Sequence, residues 1–204
     1  LHEKGIDYDI ITDDELDCDG VSALENYKVI MTGSHPEYFT ESMLNALLNY
    51  RESGGNLIYL GGNGFYWRIA RHLEDPSLLE IRRAEDGIRA WASEPGEYYN
   101  AFDGKYGGLW RRNARPPQKL VGVGFTAQGN FVGMPYKRTC FDKKLDWVFE
   151  GVHEKILGDF GLSGGGAAGF ELDRVDSKLG GDQNITILAQ SYDLDGKFML
   201  VPEE

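Results

Sequence analysis

The sequence feature that most constrains the fold is an apolar run that ends in a glycine-rich turn, within residues 56–68. Residues 57–60 show no polar alternation, a pattern typical of a central strand buried on both faces. The turn contains three glycines, Gly61, Gly62 and Gly64. Glycine adopts positive φ without steric cost, so we expect a sharp bend here and the first turns of a helix at residues 65–70. The alternative is a plain tight turn beside core aromatics.

Strand and helix patterns alternate before this turn. Residues 27–32 predict a strand, and residues 41–51 carry apolar side chains at helical spacing after Thr40, a good N-cap. A strand, a helix and a strand joined by short connections predict a parallel pair with a right-handed crossover, and hence an α/β fold. Residues 6–12 alternate like one more strand.

Composition limits the classes of function. The chain has 204 residues, which suits one domain, and its net charge of −12 argues against binding to nucleic acid or to anionic membranes. No stretch approaches the length of a membrane span. Cys18 and Cys140 are the only cysteines and lie far apart, so we expect two reduced thiols and not a disulfide framework. No signal peptide is visible, and we expect a cytoplasmic protein.

Two loops stand out as candidate sites. In open α/β sheets, ligands bind beyond the carboxyl ends of the strands. The loop at residues 33–38 follows a predicted strand and contains His35, Glu37 and Tyr38. Residues 84–129 form a long irregular insertion rich in aromatics, glycine and arginine, and a segment of this length is usually functional. The alternative is a surface flap held down by its aromatic side chains.

Several familiar catalytic motifs are absent from the sequence. The dinucleotide fingerprint lacks its third glycine at residues 62–67, and no phosphate-binding P-loop exists. Asn63 stands where an α/β hydrolase or an amidotransferase carries its nucleophile, and an amide cannot serve in that role. The histidines show no zinc-binding spacing. Tyrosine and carboxylate side chains remain in abundance, and these hard oxygen donors suit a ferric ion.

Several longer strings resemble one known family. They are residues 61–68, 85–89, 94–99, 106–112, 121–129 and 171–174. Together they are similar to the C-terminal region of the N,N-dimethylformamidase large (beta) subunit family. The resemblance implies a class I glutamine amidotransferase-like fold that has lost its cysteine, a three-layer α/β domain with a mostly parallel, flavodoxin-like sheet. It also implies hydrolysis of N-substituted formamides to formate and an amine, at a mononuclear iron (Fe3+) held by two tyrosines and a carboxylate.

The resemblance also suggests which residues form the site. The expected iron ligands are Tyr66, Tyr106 and Glu171. The expected catalytic residues are His35, Glu37 and Asn63. His35 or Glu37 would assist proton transfer to the leaving amine. Other candidates for the ligand positions are Tyr38, Tyr98, Tyr99 and Glu150. Amidotransferase-like folds carry a late His-x-Glu motif, and this chain has Gly169 where that histidine would stand.

The resemblance further implies a larger assembly. We expect residues 1–204 to be one amidotransferase-like domain, lacking its N-terminal strand, from the C-terminal part of a longer subunit. The expected partners are a small amide substrate, N-terminal domains of the same chain and a small subunit, within an oligomer. Two alternatives stay open. One is a non-catalytic binding or structural domain with the same fold, and the other is hydrolysis of a different small amide.

Overall fold

The computed structural model describes residues 1–83, 94–160, 165–180, 184–194 and 196–201. The α-helices are α1 (Asp13–Asp19), α2 (Glu41–Glu52) and α3 (Gln118–Val121). Short 3-10 helices span His2–Lys4, Gly20–Ala23, Lys143–Phe149 and Ser177–Leu179. The strands are β1 (Val29–Met31), β2 (Tyr38–Phe39), β3 (Asn56–Ile58), β4 (Trp67–Arg71), β5 (Leu79–Ile81), β6 (Gly124–Gly129), β7 (Tyr136–Arg138), β8 (Ile156–Leu157), β9 (Glu171–Arg174), β10 (Ala189–Ser191) and β11 (Phe198–Leu200).

The predicted strand–helix–strand unit is formed by β1, α2 and β3. The Thr40 hydroxyl caps α2 by accepting a hydrogen bond from the Met43 N–H at 3.2 Å, as the sequence predicts. Ile30 of β1 and Leu57 of β3 pack against the core that contains the apolar face of α2. The two strands pair in parallel, so the predicted parallel pair is confirmed.

Only one face of this two-stranded sheet is covered within the described ranges. Leu57 is half-buried toward the core, whereas Val29, Met31 and Ile58 are exposed on the opposite face. The prediction that the strand at residues 57–60 is buried on both faces is therefore wrong. An apolar run shows that a strand avoids water, but it does not show which segment provides the cover.

Two segments differ from their predicted conformations. Residues 6–12 do not form a strand, because none of the described strands pairs with them and alternation alone provides no hydrogen-bonding partner. The helix predicted at residues 65–70 is also wrong. Trp67–Arg71 is β4, which pairs in parallel with β2 and antiparallel with β5. Bulky aromatic side chains favour this sheet environment, since they pack well on a pleated surface.

The C-terminal half is built from antiparallel strands. β6 pairs with β9 and β11, and β7 pairs with β8 and β10. The α/β class is confirmed, but the sheets of the described residues are small, and only the β1–β3 and β2–β4 pairs are parallel. A mostly parallel, three-layer flavodoxin-like sheet is therefore not supported. In the described ranges, no helix combines the length and apolar character needed to cross a membrane.

The predicted insertion is anchored to β5 by Glu80. Its first part, residues 84–93, lies outside the described residues. The Glu80 carboxylate accepts hydrogen bonds from the N–H groups of Ala101 and Phe102, each at 2.9 Å, and from Arg82 Nε at 2.6 Å. Burial by itself would raise the pKa of the Glu80 carboxyl, but these three donors together hold that pKa below its usual value.

We expect Glu80→Gln to lower the free energy of unfolding at neutral pH, because a neutral amide loses the charge-assisted hydrogen bonds. Since folding lowers the pKa of Glu80, its stabilisation is present above its ordinary value of 4.5 and is lost as the pH falls through the folded-state pKa. The difference between wild type and variant should therefore shrink in acid.

Urea unfolding at neutral and at acidic pH measures this difference. Glu97→Gln is the matched control, because Glu97 contacts the same Arg82 at 2.9 Å from a more exposed position. It should have little effect at either pH. A gap for Glu80→Gln that does not depend on pH would contradict the assignment.

Candidate functional site

The glycine-rich turn forms the predicted bend, but the positive φ values lie at other residues. Asn63 and Phe65 both have φ of 55°, in the left-handed region that non-glycine residues rarely adopt. Asparagine tolerates this region because its short polar side chain bonds locally. The expectation that the glycines themselves take positive φ is therefore wrong.

Gly62 instead provides space for a close approach between the bend and β9. A Cβ atom at Gly62 would lie 2.5 Å from the carbonyl oxygen of Glu171, far inside contact distance. Glycine is therefore required here because the backbone of β9 occupies the place of a side chain. The bend and Glu171 are brought together by this contact.

Asp173 of β9 fixes the conformation of the bend. Its carboxylate accepts hydrogen bonds from the Asn63 N–H at 2.8 Å and from the Tyr59 hydroxyl at 2.7 Å. The Tyr59 oxygen in turn accepts a hydrogen bond from the Gly64 N–H at 2.8 Å. Burial, together with the Asp173 charge, raises the pKa of Tyr59, so the phenol stays protonated and donates.

Four of the predicted site residues converge beside this bend. His35 Nε2 lies 3.1 Å from Glu37 Oε2, and His35 Nδ1 lies 3.4 Å from Glu171 Oε2. Asn63 Nδ2 donates hydrogen bonds to Glu37 Oε1 at 3.2 Å and to Glu171 Oε1 at 3.1 Å. One imidazole and one amide thus bridge two carboxylates that come from distant parts of the chain.

The electrostatics of the site oppose the ionisation of its two β9 carboxyl groups. Burial raises the pKa of Glu171, and the charges of Glu37 and Asp173 raise it further, whereas His35 and the Asn63 amide oppose the shift. Burial also raises the pKa of Asp173, against the hydrogen bonds from Asn63 and Tyr59. The charged forms of both groups are therefore less favourable here than in water.

Glu37, Asn63 and Glu171 line a cavity of about 170 Å³. The lining residues are Glu37, Tyr38, Asn63, Tyr66, Trp67, Arg83, Phe125, Gln128 and Glu171. Arg83 lies over the Trp67 ring, with 4.8 Å between the guanidinium carbon and the ring centroid, and it donates a hydrogen bond to the Tyr38 hydroxyl at 2.6 Å. The cavity therefore combines two carboxylates, one guanidinium group and four aromatic rings.

Two of the three predicted iron ligands share this cavity. Tyr66 and Glu171 both line it, and Tyr66 is almost fully buried. Tyr106 is not among the lining residues. Its ring packs against Tyr99 and Tyr98, with centroid distances of 5.7 Å and 6.4 Å. The structure thus places one predicted tyrosine in the wall of the same cavity as Glu171 and the other in an aromatic cluster of the insertion.

The remaining ligand candidates lie in three different places. Tyr38 lines the cavity, where it contacts Arg83. Tyr98 and Tyr99 belong to the aromatic cluster around Tyr106. Glu150 is exposed, immediately after the 3-10 helix Lys143–Phe149, and does not line the cavity.

The histidine that contacts Glu171 does not stand at the position that an amidotransferase-like His-x-Glu motif would give it. A Cβ atom at Gly169 would lie 2.6 Å from the carbonyl oxygen of Val132, and Gly169 has φ of 127°. A histidine would therefore not fit at this position. His35, from the loop before β2, contacts Glu171 instead.

Sequence reasoning missed Asp173, Tyr59 and Arg83. A signal for Asp173 was present, because alternate residues of a strand share a face and Asp173 follows Glu171 by two positions in β9. Tyr59 reads as part of an apolar strand, and nothing local indicates that its hydroxyl supports the bend. Arg83 reads as one of many surface cations in an acidic chain.

The fold and site together define an α/β domain with a small polar cavity where three loop and strand ends meet. Residues 1–199 match the family model described as "N,N-dimethylformamidase beta subunit-like, C-terminal". The chain is 40% identical over 210 residues to the N,N-dimethylformamidase beta subunits of Paracoccus aminophilus and of Alcaligenes sp, which covers all of this chain and 27% of each relative. The chain therefore belongs to the N,N-dimethylformamidase beta subunit-like C-terminal family.

We expect Gly62→Ala to destabilise the protein by about 1–3 kcal/mol, because the new methyl group must push the bend away from β9. Gly33→Ala is the matched control, since a Cβ atom there meets nothing within 4 Å. It should change the free energy of unfolding by no more than about 0.5 kcal/mol. Urea unfolding of both variants measures this, and equal effects would contradict the contact between Gly62 and β9.

Proposed function

We propose that this chain provides the carboxylate-rich part of a site that hydrolyses a small N-substituted formamide to formate and an amine. The observation that carries the proposal is the convergence of Glu37, Asn63 and Glu171 at one cavity, with His35 in contact with both carboxylates. The names of the relatives, both N,N-dimethylformamidase beta subunits, indicate the substrate class. The chain spans 27% of their length, so the reaction belongs to the longer subunit.

The size and lining of the cavity suit a small amide. Its volume of about 170 Å³ is below the range of roughly 300–1,000 Å³ typical of sites for drug-sized ligands. The rings of Trp67 and Phe125 offer apolar surface to the alkyl groups on the amide nitrogen. The Arg83 guanidinium offers hydrogen-bond donors to a formate or carbonyl oxygen.

Two proton transfers are required, one from the attacking water and one to the leaving amine. Glu37 and Glu171 are the carboxylates that would accept the proton from water. His35 Nε2 lies 3.1 Å from Glu37 Oε2, and its Nδ1 lies 3.2 Å from the Gly62 carbonyl oxygen and 3.4 Å from Glu171 Oε2. His35 does not line the cavity, so it would act on the substrate through these carboxylates, which would take the proton from water and return it to the leaving amine.

Asn63 would orient this set. Its Nδ2 group bonds to both carboxylates and therefore fixes their separation. Its Oδ1 atom is buried and has no hydrogen-bond donor within the described ranges. A buried amide oxygen without a donor is costly, so its burial here is offset by the two hydrogen bonds that the same amide group donates.

A ferric ion fits the donor set in part. Glu37, Glu171 and Tyr66 offer the hard oxygen donors that it prefers, from one cavity. Across the described ranges, no group of three or more His, Cys, Asp and Glu side chains could hold a metal ion, so a ferric ion here would need the Tyr66 phenol or residues of the longer subunit as further ligands. When bound, the ion would polarise the amide carbonyl and acidify a water molecule.

We expect Glu37→Gln and Glu171→Gln to lower kcat/KM for N,N-dimethylformamide by about 10²–10⁴-fold in the longer subunit. Glu150→Gln, at an exposed carboxylate outside the cavity, should retain wild-type activity. Parallel assays on other acyl amides test whether the substrate is a formamide. Wild-type activity in both cavity variants would contradict the proposal.

Iron content and the visible spectrum test the metal separately. A ferric phenolate gives a charge-transfer band, so Tyr66→Phe should lose or shift the band while Tyr106→Phe keeps it. The reverse pattern would move the metal to the aromatic cluster of the insertion. A folded, iron-loaded subunit that hydrolyses no amide would favour the non-catalytic binding domain instead.

A further inference from the structure

A groove lies between residues 6–12 and β1, and it extends to Gly33 and Pro36 of the loop that carries His35. Its volume is about 610 Å³, and most of its lining side chains are apolar. One wall is a segment with the alternation of a strand, and the other wall is the edge of a strand. A groove along a strand edge has the shape that an added extended segment fills.

The edge of β1 that faces this groove has unused backbone groups. The Thr32 N–H donates to the Ile58 carbonyl, and the Asn56 N–H donates to the Lys28 carbonyl. In a parallel ladder, alternate residues bond to the same neighbour, so Lys28, Ile30 and Thr32 serve β3. Val29 and Met31 therefore direct their N–H and C=O groups to the opposite edge. Of the described strands, only β3 pairs with β1.

The opposite wall of the groove, residues 6–12, has the sequence pattern of a strand. The Tyr27 hydroxyl donates to Asp9 Oδ2 at 2.9 Å, which holds the segment beside the core. In the described structure, no hydrogen bond joins the main chain of residues 7–11 to β1. Ile6, Tyr8 and Ile10 alternate along the segment, and all three are exposed, with Ile10 at 78%. This segment therefore has the pattern of a strand without the neighbour that would complete it.

Apolar side chains of β1 and β3 are exposed on one face of their two-stranded sheet. Met31 pairs with Ile58 in the parallel register, and both are exposed, at 43% and 37%. Val29 is exposed on the same face. A two-stranded parallel sheet with an apolar open face is unusual, because parallel sheets are normally buried and larger. An added strand would extend these apolar rows.

The charge of the lining limits what can bind. Asp7, Asp9 and Asp13 line the groove, and no lysine or arginine side chain does so. An incoming acidic segment would be repelled, whereas apolar residues flanked by neutral or basic ones would fit. The occupant is therefore an extended, apolar and non-acidic segment.

We propose that this groove receives an extended segment from the part of the longer beta subunit outside this chain, which pairs as a strand with the free edge of β1. The segment comes from the same polypeptide, because this chain covers 27% of the relatives' length and the rest of the subunit would be held at high effective concentration beside the groove. The proposal does not depend on the chemistry of the cavity. A second copy of this chain and a free apolar ligand are the competing occupants.

Amide hydrogen exchange of this chain alone and within the longer subunit tests the proposal. The amides of Val29 and Met31 should exchange on the order of 100-fold more slowly in the longer subunit, because an added strand protects them. Equal rates in the two proteins would overturn the proposal. Protection that grows with the concentration of the isolated chain would identify a second copy as the occupant and would also overturn it.

A proline variant separates strand pairing from simple covering. Val29→Pro removes an N–H that β3 does not use, at the first residue of a strand, where proline is tolerated. Val29→Thr keeps the N–H and the branched shape. The two variants should have similar Tm values in the isolated chain, whereas Val29→Pro should have the lower Tm in the longer subunit. Equal Tm values in the longer subunit would exclude main-chain pairing at this edge.

Discussion

The hydrogen bonds that Asp173 accepts from the bend are the interaction on which the site depends. They join the Asn63 N–H and the Tyr59 hydroxyl to β9, which otherwise belongs to a separate antiparallel sheet. Because Glu171 lies two residues earlier in β9, the same bonds hold its carboxylate beside the Asn63 amide. The two halves of the described chain therefore meet at this polar contact, and Gly62 leaves room for β9 to approach the bend.

The sequence predicts those parts of the fold that depend on local chemistry. The Thr40 cap, the apolar face of α2 and the parallel β1–β3 pair follow from caps, periodicity and short connections. The pairing of β4 with β2 and the pairing of β6 with β9 and β11 do not, because these partners are far apart along the chain and no local pattern specifies them. The position of the bend at Asn63 was predicted correctly. Glycine is needed there because the backbone of β9 lies close to the bend, and not because glycine adopts positive φ.

The same distinction holds for the site. His35 and Glu37 lie at a strand end, where α/β ligands bind, and this position made them predictable. Tyr106 was selected from a string of residues, which identifies a family but gives no position in space. The cavity and the apolar groove also differ in chemistry. The cavity gathers charged side chains, for which we propose catalysis, and the groove exposes backbone groups of a strand edge, for which we propose assembly.

We propose that the cavity beside Glu37, Tyr66 and Glu171 is the reaction site. Anomalous diffraction at the iron edge, on crystals of the iron-loaded longer subunit, locates the metal without reference to activity. We expect one peak in this cavity, with carboxylate or phenol oxygens at about 2.0–2.2 Å. An occupied iron site elsewhere, for example beside Tyr106, with no peak in the cavity, would contradict it.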